Sequence, residues 1–233
     1  MAGPIGSWKL EVGSFISDWL VWQVVDSAFP TGVFAHSWGL ESAWQQGEIP
    51  DVEALRGFLT ASLQQTAYGA LPLLNAAYRR PERWPELDEL ADAFLTNPVA
   101  NRASRIQGRT LLSTARRVWP SDALTALAAV GGSGCAHVAP LSGVVFQAIG
   151  LPIDKARTAM LFGTARGVLS AAVRLGIVGS YQAQRMHHEA GADLGRVLEA
   201  AAALEADEIS QTAPVLDMLH AAHDRLYSRL FQS

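Results

Sequence analysis

From about Ser17 to Leu226, apolar side chains recur at intervals of three and four residues, the spacing that lines one face of an α-helix. Leu20, Val21, Val24, Val25 and Ala28 form one such stripe. Leu55, Phe58, Leu59 and Leu63 form a second, and Leu216, Leu219, His220, His223 and Leu226 a third. Strand-like alternation is scarce, β-branched runs are short, and alanine and leucine dominate. Helices packed on helices are the arrangement these preferences favour. Proline and glycine punctuate the pattern at Pro30, Gly32, Gly47, Pro50, Pro81, Pro85, Pro98, Gly150, Pro152, Gly176 and Pro214. The prediction is an all-α, single-domain bundle of roughly ten helices over residues 15–226. A flexible segment precedes it at 1–14, and a short tail follows at 227–233.

Composition narrows the functional classes. Apolar residues make up 49% and charged residues 17% of the 233, enough for one large core. The net charge of −4 argues against general nucleic-acid binding. A lone cysteine, Cys135, excludes an internal disulfide and a cysteine-rich metal cage, and it fits a reducing compartment. No window reaches ~18 uninterrupted apolar residues, so no membrane span is expected. Asp18 and Asp26 interrupt the apolar stretch near the start, which argues against a signal peptide. The expected location is the cytoplasm.

Within the helices, two segments stand out. Asn97-Pro98 reads as a capped start, with proline at the first helical position. In the helix that follows, to Trp119, Arg102, Arg105, Arg109 and Arg116 fall within an arc of roughly 60°. Val99, Ala103, Ile106, Thr110, Thr114 and Val118 lie on another side, and Leu112 stands among the arginines. That face is either an ordinary solvated one or a docking surface for an acidic partner, since arginine is favoured at interfaces. The second segment, Asp154 to Leu175, is rich in alanine, glycine and serine, and is expected to be the central helix of the bundle.

Chemistry-bearing clusters are few. His187-His188-Glu189 is conspicuous, but neighbouring helical residues point about 100° apart and do not face one ion. His220 and His223, three apart with Asp217 and Asp224 nearby, are better placed to clamp a divalent cation. His137 and Cys135, two apart in a glycine-rich stretch, are a weaker pair. Ser37 beside His36 supplies two members of a nucleophilic set without evidence that their functional atoms meet. The glycines from Gly131 to Gly134 lack the lysine and the preceding strand of a phosphate loop.

The stretch from Asp26 to Glu41, DSAFPTGVFAHSWGLE, resembles the N-terminal signature of the urease accessory protein F (UreF) family. Ser27, Pro30, Gly32, Phe34, His36, Ser37, Gly39, Leu40 and Glu41 fit its pattern. Pro214-Val215-Leu216-Asp217 and Tyr227-Ser228-Arg229-Leu230-Phe231-Gln232-Ser233 resemble the family's ending, with looser agreement between. The resemblance implies an all-helical, dimer-forming accessory protein without catalysis of its own. It implies a bridge between accessory protein D (also called H) and the accessory GTPase G, with nickel inserted into apo-urease. The assembly, not this chain, would handle the nickel, and no cofactor is expected. The expected partner-binding residues are Tyr227, Ser228, Arg229, Leu230 and Phe231 of a docking tail, loosely held in the free protein, with Arg102, Arg105 and Arg109 of the basic face. The rival reading is a small helical metal-dependent enzyme built on His220 and His223.

Overall fold

The computed structural model describes residues 5–32, 35–131 and 134–233, with side chains from Phe15 onward except at 130, 131 and 193. Eleven α-helices and no strand are present among the described residues. They are α1 (Ile5–Val25), α2 (Leu40–Gln45), α3 (Val52–Gln65), α4 (Leu71–Arg79), α5 (Trp84–Phe94) and α6 (Pro98–Val118). After these come α7 (Asp122–Gly131), α8 (Val138–Ala148), α9 (Ile153–Arg174), α10 (Ser180–Ala201) and α11 (Pro214–Ala221). The all-α architecture expected from periodicity is the one observed.

Several boundaries follow from local chemistry. The Asp51 carboxylate accepts the Ala54 amide at 2.8 Å and starts α3. Asn97 Oδ1 accepts the amides of Val99 and Ala100 at 2.9 and 3.3 Å, with Pro98 next, as its position before a proline implies. Helix α1 runs from Ile5 through Ser17, so Ser17 lies inside it rather than at its cap. Helix α10 ends at Ala201, where a turn at 202–203 and then a one-turn helix at Ala206–Glu208 follow.

The core is built around α4, where every residue from Leu71 to Ala77 is buried. Each leucine buried there contributes on the order of 1.5–3 kcal/mol. Helix α9 lies against α1, α3, α4, α8 and α10, the central place its small side chains imply. Buried Arg157 of α9 ties three elements together. It donates to Asn75 Oδ1 and Asp154 Oδ1 at 2.7 Å each, and to the Ala202 carbonyl at 2.8 Å.

The join between α3 and α4 is a π-helical turn, Thr66–Ala70, so the two helices continue each other through a wide turn rather than a break. Tyr68 within it offers its carbonyl to the Ser210 amide at 3.0 Å. Gln65 Oε1 accepts the amides of Thr212 and Ala213 at 2.8 and 3.0 Å. These bonds fix the loop before α11, and so place α11 against α2 and α6.

Candidate interaction site

The Asp26–Glu41 corner is held from below by α6. Asp26 Oδ1 accepts the Ala28 amide at 2.8 Å and closes a turn. The Phe29 ring packs on Trp119 with centroids 5.4 Å apart, and Thr114 Oγ1 donates to the Pro30 carbonyl at 2.7 Å. Gly32, Trp38 and Gly39 take left-handed backbone angles, φ 75°, 60° and 84°. Gly39 is doubly constrained, since a Cβ there would also lie 2.8 Å from His220 Cβ. The double left-handed step turns the chain into α2, so that Leu40, Glu41, Ser42 and Ala43 all point inward. Phe34, part of the signature, lies outside the described residues.

What the corner receives is the other end of the chain. Glu41 is only 2% exposed, and its carboxylate accepts the amides of Leu230 and Phe231 at 2.6 and 3.1 Å. It also accepts His223 Nε2 at 3.0 Å. The Ser37 amide and hydroxyl both donate to the Ser233 carbonyl, at 2.5 and 2.9 Å. The Gln232 amide donates to the Ala35 carbonyl at 2.7 Å. His36 Nδ1 and Ser233 Oγ share a hydrogen bond of 2.5 Å. Phe231 is buried beneath the Arg174 guanidinium, 4.1 Å from its ring centroid.

The segment expected to hang loosely is therefore latched in this structure at each residue from Leu230 to Ser233. Its side chains divide. Phe231 and Ser233 face inward, whereas Tyr227, Ser228, Arg229 and Leu230 are exposed. Arg229 Nη1 stands 3.5 Å from Asp224 Oδ1, the same oxygen that takes Arg102 Nη2 at 2.8 Å. Arg102 of α6 and Arg229 of the closing segment thus meet over one carboxylate. Arg105 is half-buried and Arg109 exposed further along α6. Leu112, expected among the arginines, is buried, while Ile106 and Val118 are exposed. The face that α6 buries is instead Val99, Ala103, Ser104, Gln107, Gly108, Leu111, Leu112, Thr114 and Ala115.

The histidines do not form the expected clamp. His223 spends Nε2 on Glu41, Asp217 Oδ1 accepts Asn97 Nδ2, and Asp224 serves the two arginines. His220 packs against Gly39, and these donors do not converge on one point. His36 and His220 are both lowered to about 4, first by burial and then by the nearby His223 ring. They are therefore neutral at neutral pH. Together with Trp38 and Gln107 they line a cavity of about 280 Å³. Elsewhere His187 packs edge-on against Phe162 with centroids 4.8 Å apart, and His188 is exposed. Glu189 pairs with Arg56 at 2.7 Å, so this cluster also faces in different directions. Ser37, committed to the Ser233 carbonyl, is not poised as a nucleophile by His36.

A second outward surface lies on α1, on the side away from the Leu20, Val21, Val24 and Val25 stripe. On α1, Phe15, Trp19 and Trp22 form a ladder of rings with successive centroids 6.3 and 6.4 Å apart, each more than half exposed. Exposed aromatic rings at helical spacing are an interaction-surface signal. No helix among the described residues is long and apolar enough to cross a membrane.

Comparison with known proteins places this geometry in a lineage. The sequence model of the UreF family matches residues 49–191. Urease accessory protein F of Arabidopsis thaliana is 40% identical over 221 residues, covering 92% of each chain. The protein of the same name from Oryza sativa subsp. indica is 36% identical over 219 residues, covering 91% of this chain and 84% of its own. Urease accessory protein UreF of Arthrobacter sp. (strain FB24) is 31% identical over 214 residues, covering 91% of this chain and 95% of its own.

Proposed function

Because this chain belongs to the urease accessory protein F family, we propose that it is a non-catalytic scaffold of urease maturation in the cytoplasm. In this reading it forms a dimer and bridges accessory protein D (also called H) and the accessory GTPase G while nickel enters apo-urease. Nickel is the cargo of that assembly, and no resident cofactor is invoked. The observation that carries the reading is the division of the closing segment. Its backbone is latched through Glu41, Ser37 and Ala35, while Tyr227, Arg229 and Leu230 are presented outward beside Arg102. A segment held in place before binding loses less conformational freedom when a partner seats on it.

Bridging needs two surfaces, and the chain carries two on different elements. One is the tail with the arginine edge of α6; the other is the aromatic ladder of α1. Large rings and arginines are the residue types that dominate binding energy at interfaces. The reactive residues of the corner, by contrast, are spent on packing: Ser37 and His36 bind the closing segment, and His223 binds the Glu41 carboxylate that holds it.

Co-purification with proteins D and G, followed by urease activation, tests this. Replacing Tyr227 and Leu230 by Asp, or Arg102 and Arg105 by Glu, is expected to abolish capture of at least one partner and to lower urease activation. The free variants should melt within a few degrees of the parent, since exposed charges contribute only ~0–1 kcal/mol. Undiminished capture of both partners by both double variants would overturn the docking surface.

A further inference from the structure

One cluster outside the docking surface brings three different donor atoms together. Cys135 and His137 flank Ala136, a non-glycine residue in the left-handed region at φ 63°. That turn is rigidly held. Buried Asp88 of α5 accepts the Ala136 amide on Oδ2 at 2.8 Å and the His137 amide on Oδ1 at 2.6 Å. The Ala136 carbonyl lies so close to α6 that a Cβ on Gly108 would be 2.0 Å from it, so glycine is required there. The left-handed step sends Cys135 and His137 toward the same point, where they meet Asp92, one helical turn beyond Asp88. The ligand atoms of Asp92, Cys135 and His137 lie within 4.8 Å of one another, and among the described residues this is the one such group.

We propose that Asp92, Cys135 and His137 form an exchangeable site for a single borderline divalent transition ion of the zinc and nickel class. A thiolate, an imidazole and a carboxylate are the donor types such ions take, at ~2.0–2.3 Å from the metal. Tetrahedral ligands at those bond lengths stand ~3.3–3.8 Å apart; His137 Nε2 and Asp92 Oδ1 are already 3.1 Å apart, so only the wider separations have to close, by up to about 1 Å. The outer partners suit the task. Fully buried His137 places Nδ1 3.1 Å from Ser104 Oγ and Nε2 3.1 Å from Asp92 Oδ1. In the metal-free state Nε2–H donates to Asp92 and the Ser104 hydroxyl donates to Nδ1. With a metal, the tautomer reverses: Nδ1–H donates to Ser104 and the Nε2 lone pair is released to the ion. Asn101 Nδ2 donates to Asp92 Oδ1 at 2.9 Å and steadies that carboxylate in either state. Three protein ligands leave a fourth position open, and the partly exposed Asp92 side chain gives access. A metal here stands independently of the docking role, and it reverses the ranking that sequence spacing gave to His220 and His223 over this pair.

Because Cys135 is the only cysteine, its sulfur reports on the site without ambiguity. The full-length protein, stripped of metal under reducing conditions, is titrated with Co²⁺, and separately with Zn²⁺ and Ni²⁺. One equivalent of Co²⁺ is expected to produce a thiolate-to-cobalt charge-transfer band, displaced by Zn²⁺. Zn²⁺ should also slow the reaction of Cys135 with a thiol-specific disulfide reagent by at least ~10-fold. The band should vanish in Cys135→Ser and weaken by more than ~10-fold in metal affinity in Asp92→Asn. Asp92→Asn changes a partly exposed side chain, and its circular dichroism and melting temperature check that the fold persists. Absence of the band and of thiol protection in the parent protein would overturn the proposal. So would a band unaffected in a folded Asp92→Asn, which would mean that the thiol binds metal without the cluster.

Discussion

Replacing Glu41 by alanine removes the acceptor for three donors at once: the Leu230 amide, the Phe231 amide and His223 Nε2. Phe231 and His223 are buried, so their donors cannot simply turn to water. Each stranded buried group costs ~1–3 kcal/mol. Three would give a total near ~6 kcal/mol if the structure stayed rigid. The closing segment can lift instead and hydrate its amides, at the cost of exposing Phe231, worth ~1.5–3 kcal/mol of apolar burial. His223 stays stranded in that route at a further ~1–3 kcal/mol, so about 3–4 kcal/mol is expected, or roughly 10 °C in melting temperature at ~2–4 °C per kcal/mol for a chain of this size. Glu41→Gln should fall between. Placing the amide oxygen at the Oε2 position keeps His223 and Phe231 satisfied, but sets an NH₂ group against the Leu230 amide. Thermal melts by circular dichroism give the stability change, and hydrogen exchange at the Leu230 and Phe231 amides shows whether the segment has lifted. A melting temperature within about 1 °C of the parent, with both amides still protected, would refute the latch.

Two other expectations follow from the same corner. His36 and His220, lowered from 6.5 to about 4, bind protons in the unfolded chain before they do in the folded one. Their contribution is therefore complete above about pH 6.5 and is lost as pH falls toward 4, up to about 3 kcal/mol for buried His36 alone. Melting temperatures at pH 7 and pH 5 should show this drop, and His36→Asn should flatten it; an unchanged slope would remove His36 as its source. Gly39→Ala adds a strained left-handed residue and a Cβ against His220, and should cost ~2–4 kcal/mol in thermal melts, with α11 as the element displaced.

The helical class was legible because period and punctuation agree from α1 to α11. The caps at Asp51 and Asn97 could be placed for the same reason, since each needs only its own few neighbours. Features set by partners far along the chain were not. Every residue of α4 from Leu71 to Ala77 is buried, polar Asn75 included, which local spacing alone does not announce. Ile106 and Val118 look like core residues by spacing, but α6 turns its buried face toward α8, one side step away. The Cys135 and His137 pair was visible, yet its third donor lies on another helix, with 45 positions between Asp92 and His137. The Phe15, Trp19 and Trp22 ladder lies opposite the Leu20, Val21, Val24 and Val25 stripe of α1, where large apolar rings read as more core rather than as an outward face.

The two stretches that resemble the family most closely are one physical unit. The signature residues His36, Ser37 and Glu41 direct their polar groups to residues 230–233 or to His223. Gly39 makes room for His220, three residues on from the Pro214–Asp217 run. A histidine beside a serine suggests catalysis when the corner is read by itself. Read with its contacts, the same pair is a receptor for the chain's own closing segment. That explains why such costly groups are buried there: an unpaired carboxylate or imidazole in the core is strongly unfavourable, and each is tolerated only while the segment is seated. The corner therefore specifies where the segment sits, and Tyr227, Arg229 and Leu230 stay exposed on its outer side. Mutations in the signature should consequently mimic mutations in the closing residues, impairing partner capture through position although the signature itself is buried.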